Sequence, residues 1–137
     1  MSVKESHIEK TDKTRADVLV NRQQLLATLA QLTHEELDEI LDARDGGEFD
    51  VAWQVAYETV ALLLKAHCAP IPVFDSKDLF IALSNATQCH EICSYIADDL
   101  ALIHNAKWVE YHHELLVQMR ECYGKGAIPG HRAECGV

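Results

Sequence analysis

Basic residues are scarce in this chain. Twelve Lys and Arg stand against 22 Asp and Glu, a formal net charge of −10 over 137 residues. No Lys/Arg run interrupts that acidity. A phosphate backbone is therefore repelled by most of the surface, which argues against sequence-independent nucleic-acid binding. Long apolar runs are missing too. The most apolar segment, Val51 to Ala66, contains Glu58 and Lys65 and is too short to cross a bilayer. No membrane role is expected. Met1 to Thr14 is polar and charged with no apolar stretch behind it, which reads as a cytoplasmic chain without a targeting segment. CxxC spacing is also absent: Cys68, Cys89, Cys93, Cys122 and Cys135 form an odd set, expected to be reduced and mostly buried. No phosphate loop, dinucleotide turn, nucleophile elbow or kinase signature is present. Gly124-Lys125-Gly126 lacks the strand and helix that a phosphate loop demands. Acidity of this degree suits solubility or a basic protein partner reached by electrostatic steering.

What is there is helical periodicity. A chain of 137 residues with 48% hydrophobic residues supports one domain with one core. Residues 1–13 read as a flexible lead-in, 14–123 as the bundle domain and 124–137 as a loose tail. A first helix is expected from Asp12 to Leu32, with Val18, Leu25, Leu26, Leu29 and Leu32 on one face. Thr33-His34-Glu35-Glu36 is a capping box opening a short helix that carries Leu37, Ile40 and Leu41. Asp45-Gly46-Gly47 stops it, because glycine supplies the left-handed backbone of a helix end. The third helix, Asp50 to His67, is apolar around most of its circumference and is expected to be covered on most sides, with Leu63 in the core. Pro70 and Pro72 follow it. Further helices are expected from Asp75 or Ser76 to Asn85, from Thr87 to His104 and from Ala106 to Tyr123. No strand-period alternation and no internal repeat appear. The fold class is all-α: a single-domain bundle of four main helices plus one or two short ones.

Several side chains could carry chemistry. Glu110 and His113 stand three apart, on the same side of the expected last helix. That is half of a carboxylate di-iron arrangement, with His112 as a neighbouring ligand, but no second Glu-x-x-His occurs. The alternative is a solvated pair with no metal. Cys89 and Cys93 lie one turn apart, yet share the apolar stripe of Ile92 and Ile96, so core thiols are expected there rather than ligands. His90 is expected at the surface. Asp98 and Asp99 diverge by about 100 degrees on a helix, cannot share a proton, and read as a solvated face. Trp53 and Tyr57, four apart, read as core packing. Glu58 either marks the exposed edge of its helix with Gln54 or answers a histidine across the bundle. Trp108, Tyr111 and His112 offer an aromatic, partly polar surface suited to an interface.

From Phe49 to Tyr123 the chain resembles the HEPN family (higher eukaryotes and prokaryotes nucleotide-binding domains). The residues that carry the resemblance are Trp53-Gln54-Val55-Ala56-Tyr57-Glu58 running into Ala61-Leu62-Leu63-Leu64-Lys65, the helix start at Asp75-Ser76-Lys77-Asp78-Leu79, and Asp99-Leu100-Ala101-Leu102-Ile103-His104-Asn105 followed by Tyr111-His112. Members are helical bundles, usually dimers, and the active ones are metal-free ribonucleases. Carried over, Asn105 matches the family's polar position and His112 its final His. His104 stands where the family's Arg belongs, and the spacing to His112 is one residue longer than the pattern. Arg provides a permanent charge for phosphate and His does not. The resemblance thus implies a non-catalytic interaction or regulatory module without a cofactor, as a homodimer or with a small protein partner. Its alternatives are an RNA-cleaving member using His104, Asn105 and His112, or a metal-binding bundle at Glu110, His112 and His113.

Overall fold

Thr33 closes the box expected of it: its side chain accepts from the Glu36 N–H while the Glu36 carboxylate accepts from the Thr33 N–H. Two orphan donors are satisfied reciprocally, and the helix that starts there is one of six among the described residues. The computed structural model describes the backbone of residues 13–15 and all of residues 19–130. In chain order these form β1 (Lys13–Arg15), α1 (Arg22–Ala30), α2 (His34–Arg44), α3 (Glu48–Ala66), β2 (Val73–Asp75), α4 (Lys77–Thr87), α5 (His90–Trp108) and α6 (Glu114–Gly124). The protein is an all-α bundle with one short parallel strand pair, in which Lys13, Thr14 and Arg15 face Val73, Phe74 and Asp75.

That pair corrects the expectation of no strand, and three-residue strands are too short to show a period in sequence. The expected first helix also begins late, at Arg22. Asn21 starts it, with its side chain accepting from the Gln24 N–H. The Asn21 N–H donates to the Tyr123 carbonyl, so the incoming chain is tied to the other end of the domain. Val18 lies outside the described residues, as do residues 1–12 of the expected lead-in.

The core gathers around α5, which packs against α3, α4 and α6. Ile92, Cys93, Ile96, Leu100, Leu102 and Ile103 are buried along it, and Leu25, Leu29, Leu37, Leu83 and Met119 close over them. Burying each of the larger aliphatics stabilises the fold by about 1.5–3 kcal/mol. The tail expected to be loose from Gly124 folds back onto the bundle as far as it is described. Ala127 and Ile128 are buried, and the Ala127 N–H reaches the Cys122 carbonyl. Gly126, at φ +77°, lets this turn touch α1, since a Cβ there would sit 2.4 Å from the Gln24 Cβ. The Thr28 hydroxyl donates to its carbonyl. Cys68, Cys89 and Cys93 are free, and of these Cys68 is exposed and only Cys93 buried, while Cys135 lies outside the described residues.

The expected helix from Ala106 to Tyr123 is broken in two. Helix α5 ends at Trp108 with Glu110 in the left-handed region, φ +57°. The Tyr111 N–H bonds the Ala106 carbonyl and the Glu110 N–H bonds the Lys107 carbonyl. These are the paired bonds of a Schellman stop, built here without the glycine that would announce it.

Candidate functional site

Arg44 and Asp99 form the buried polar centre of the molecule. Arg44 falls on the stripe of Leu37, Ile40 and Leu41, and Asp99 on that of Ile92, Ile96 and Ile103, so each helix carries its charge inward. The Asp99 side chain, 0% exposed, accepts from Arg44 Nη1 at 2.7 Å and Nη2 at 2.5 Å, from Trp53 Nε1 at 2.9 Å and from the Tyr123 hydroxyl at 2.5 Å. Four donors fill the capacity of one carboxylate. The guanidinium lies 4.6 Å from the Phe49 ring centroid and 5.2 Å from that of Tyr95, a cation between two aromatic faces. Burial opposes the Arg44 charge, but the Asp99 charge and hydrogen bond outweigh it and raise its pKa. Burial first, then the Asp99 charge, pushes the Tyr123 phenol well above its ordinary value, so it stays a donor. The expected solvated Asp98–Asp99 face is thus half corrected: Asp98 is exposed and Asp99 is the buried hub.

Above this hub a groove opens between α3 and α5. Its first part is a cavity of about 210 Å³ walled by Phe49, Trp53 and Tyr95, with Asp45, Asp50 and Asp98 around it. Tyr95 donates to Asp45, and chiefly that bond, then burial, pushes its phenol up to about 12. Partial burial, then the Asp99 charge, raises the Asp98 carboxyl, with Arg44 pulling it back. The second part, about 410 Å³, is lined by Tyr57, Val60, Ala61, Leu64, Leu102 and Asn105, and shares Trp53, Gln54 and Asp98 with the first. Trp53 and Tyr57 stack along it, centroids 5.4 Å apart and planes at 10°. They were expected in the core. Instead Trp53 is half-buried and Tyr57 exposed.

Helix α3 departs further from expectation. Ala56 and Val60 are its buried residues. Val51, Val55 and Leu62 are 64%, 52% and 68% exposed, and even Leu63 is 37% exposed. Val51, Val55, Glu58 and Leu62 follow the i, i+4, i+7, i+11 spacing of a single helical stripe. Glu58 is therefore the exposed edge of its helix.

The residues matched to a ribonuclease centre sit in three different settings. His104 is buried and its Nε2 donates to the Pro72 carbonyl at 2.8 Å, with Phe74 and Trp108 against its ring. It fastens the loop after α3 to α5. Asn105 lines the groove but sits within α5, not at a break between helices. His112 is exposed in the turn after α5. Glu110 and His113 lie in that turn as well, on no common helix face, and the His113 Nδ1 accepts from the Leu115 N–H as the cap of α6. Among the described residues no group of three His, Cys, Asp or Glu is placed to hold a metal. Trp108 is exposed at the end of α5, His112 is exposed, and Tyr111 packs partly against the core. Cys93 is buried and His90 exposed, as expected.

Among the described residues no helix is long and apolar enough to cross a membrane. A family model described as immunity protein PIM1 matches residues 16–130, a span that includes all six helices. The HEPN resemblance has no family match beside it. No curated protein and no solved structure matches the chain.

Proposed function

The chain belongs to the immunity protein PIM1 family, and on that premise we propose that it binds a protein toxin and blocks it by occupation, without chemistry of its own. The observation that carries the reading is the open face of α3. A helix that leaves Val51, Val55 and Leu62 in water, beside a groove with stacked aromatics, has the apolar centre that partners bury. The groups best placed for acid–base work are engaged in holding the fold: Asp99 is saturated by four donors and His104 is bonded to Pro72. A net charge of −10 steers a basic protein toward such a surface and speeds its capture.

The test is capture followed by function. A photo-crosslinking residue at position 55, in cells that naturally carry the chain, should trap a protein that arrests growth when produced alone. Growth should return when the chain is produced with it. Trapped proteins that have no effect on growth would contradict the reading.

A further inference from the structure

The groove is not uniform, and its two ends ask for different groups. Toward Asn105 it is apolar, lined by Val60, Leu64 and Leu102. Toward Arg44 it is acidic and aromatic. Asp45, Asp50 and Asp98 stand there around the Phe49, Trp53 and Tyr95 rings. Arg44 offsets only part of the Asp98 charge, because it forms its ion pair with the buried Asp99. Asp45 accepts from the Tyr95 hydroxyl and Asp50 from the Gly46 N–H, but among the described residues none of the three has a cationic partner. A void of about 210 Å³ lies below the range of about 300–1,000 Å³ that holds a free small molecule, and suits one long side chain. On its wall the buried Arg44 keeps an Nε donor without an acceptor among the described residues.

Resting on the toxin-binding reading above, we propose that this end of the groove seats a lysine or arginine side chain of the protein partner. Its cation meets the Asp45, Asp50 and Asp98 carboxylates, and its stem lies on the Trp53 and Tyr95 rings. Three observations converge on that occupant. Among the described residues the carboxylates have no ion-pair partner. The rings are of the kind that attracts a cation, since Phe49 and Tyr95 already hold the Arg44 guanidinium 4.6 Å and 5.2 Å from their centroids. The raised Asp98 carboxyl is relieved by a positive charge beside it. The apolar end and the α3 stripe then take up the apolar residues flanking the basic one.

The experiment uses the full-length chain carrying Trp108→Phe, so that Trp53 is the remaining indole. Tri-arginine, tri-lysine and tri-citrulline amides are titrated at low salt while Trp53 fluorescence is followed. Citrulline keeps the shape of arginine and removes its charge. Tri-arginine and tri-lysine should give saturable changes, with tri-citrulline weaker by at least about tenfold. Asp50→Asn with Asp98→Asn should weaken the basic peptides by a similar factor, with melting no lower than the parent's. An equal response to tri-citrulline, an unaltered response in the double variant, or no saturation by about 10 mM would overturn the proposal. So would salt-sensitive dimerisation that blocks the response, because it assigns the groove to a second copy. Growth protection by a chain that fails the peptide test would remove the basic anchor and leave the toxin-binding reading standing. A chain that passes the peptide test but protects against no growth-arresting partner would overturn the reading on which the proposal rests.

Discussion

Helices α3 and α5 are 19 residues each, and both are rich in aliphatic side chains, yet they meet opposite fates. Nine residues of α5 are buried, including Asp99 and His104, and each of those polar groups is matched to donors or acceptors supplied by its neighbours. Helix α3 buries two. One side of α3 meets the bundle and the other is left in water with valines and leucines on it. Apolar composition sets how much surface a helix must cover. It does not say whether the cover comes from its own chain. Where the described residues leave an apolar stripe uncovered, the stripe is available to another molecule.

The largest effect that separates these regions should come from the hub. Asp99→Ala strands the Arg44 charge and leaves the donors of Trp53 and Tyr123 unpaired, and should cost about 3–5 kcal/mol in a denaturant melt. Next comes a matched pair of leucine truncations. Leu100→Ala, at a fully buried position of α5, should cost about 2–5 kcal/mol. Leu62→Ala on α3 should cost under about 0.5 kcal/mol, as surface changes do. Leu63, expected in the core, should behave like Leu62, because it is more than a third exposed. Equal losses at Leu100 and Leu62 would erase the contrast.

Much of the closed region was legible in sequence. The capping box at Thr33, the stripes of α2 and α5 and the all-α class follow from periodicity and local bonding. The hub was also written there, in a form easily passed over: Arg44 and Asp99 occupy apolar-stripe positions with opposite charges. A charge on a stripe signals an inward ion pair only once the two helices are known to face each other, and one helix cannot show that. The open face of α3 was beyond reach for the same reason. Periodicity reports that a surface is apolar, while its cover depends on where five other helices lie. The break after Trp108 hid because Glu110 fills a left-handed position that glycine usually marks. The expected Glu110–His113 pairing rested on one helix running through positions 106–123, and that break separates the two from a common face.

Smaller perturbations sharpen the boundary of the closed region. Glu110→Gly should stabilise the protein by about 1 kcal/mol in a thermal or denaturant melt, because glycine takes the left-handed conformation without the Cβ clash. At the groove, the Asp98 carboxyl titrates above its unfolded value, so above both pKa values its charge costs the fold stability. Asp98→Asn should therefore raise stability at neutral pH by less than about 1 kcal/mol, since the group is exposed. That gain should vanish as the pH falls through the Asp98 pKa toward the unfolded carboxylate range, and a pH series of melts on both proteins reads it directly.

The open face of α3 is tested most directly by giving it charge. Val55→Glu and Leu62→Glu place carboxylates on the exposed stripe, and Val117→Glu does the same at a 52% exposed position on α6. Each variant is produced with the growth-arresting partner, and survival is measured beside the melting temperature of the pure protein. The account expects all three to melt like the parent, with protection lost in the two α3 variants and kept in Val117→Glu. Full protection by Val55→Glu and Leu62→Glu would contradict it, and would place the partner elsewhere on the molecule.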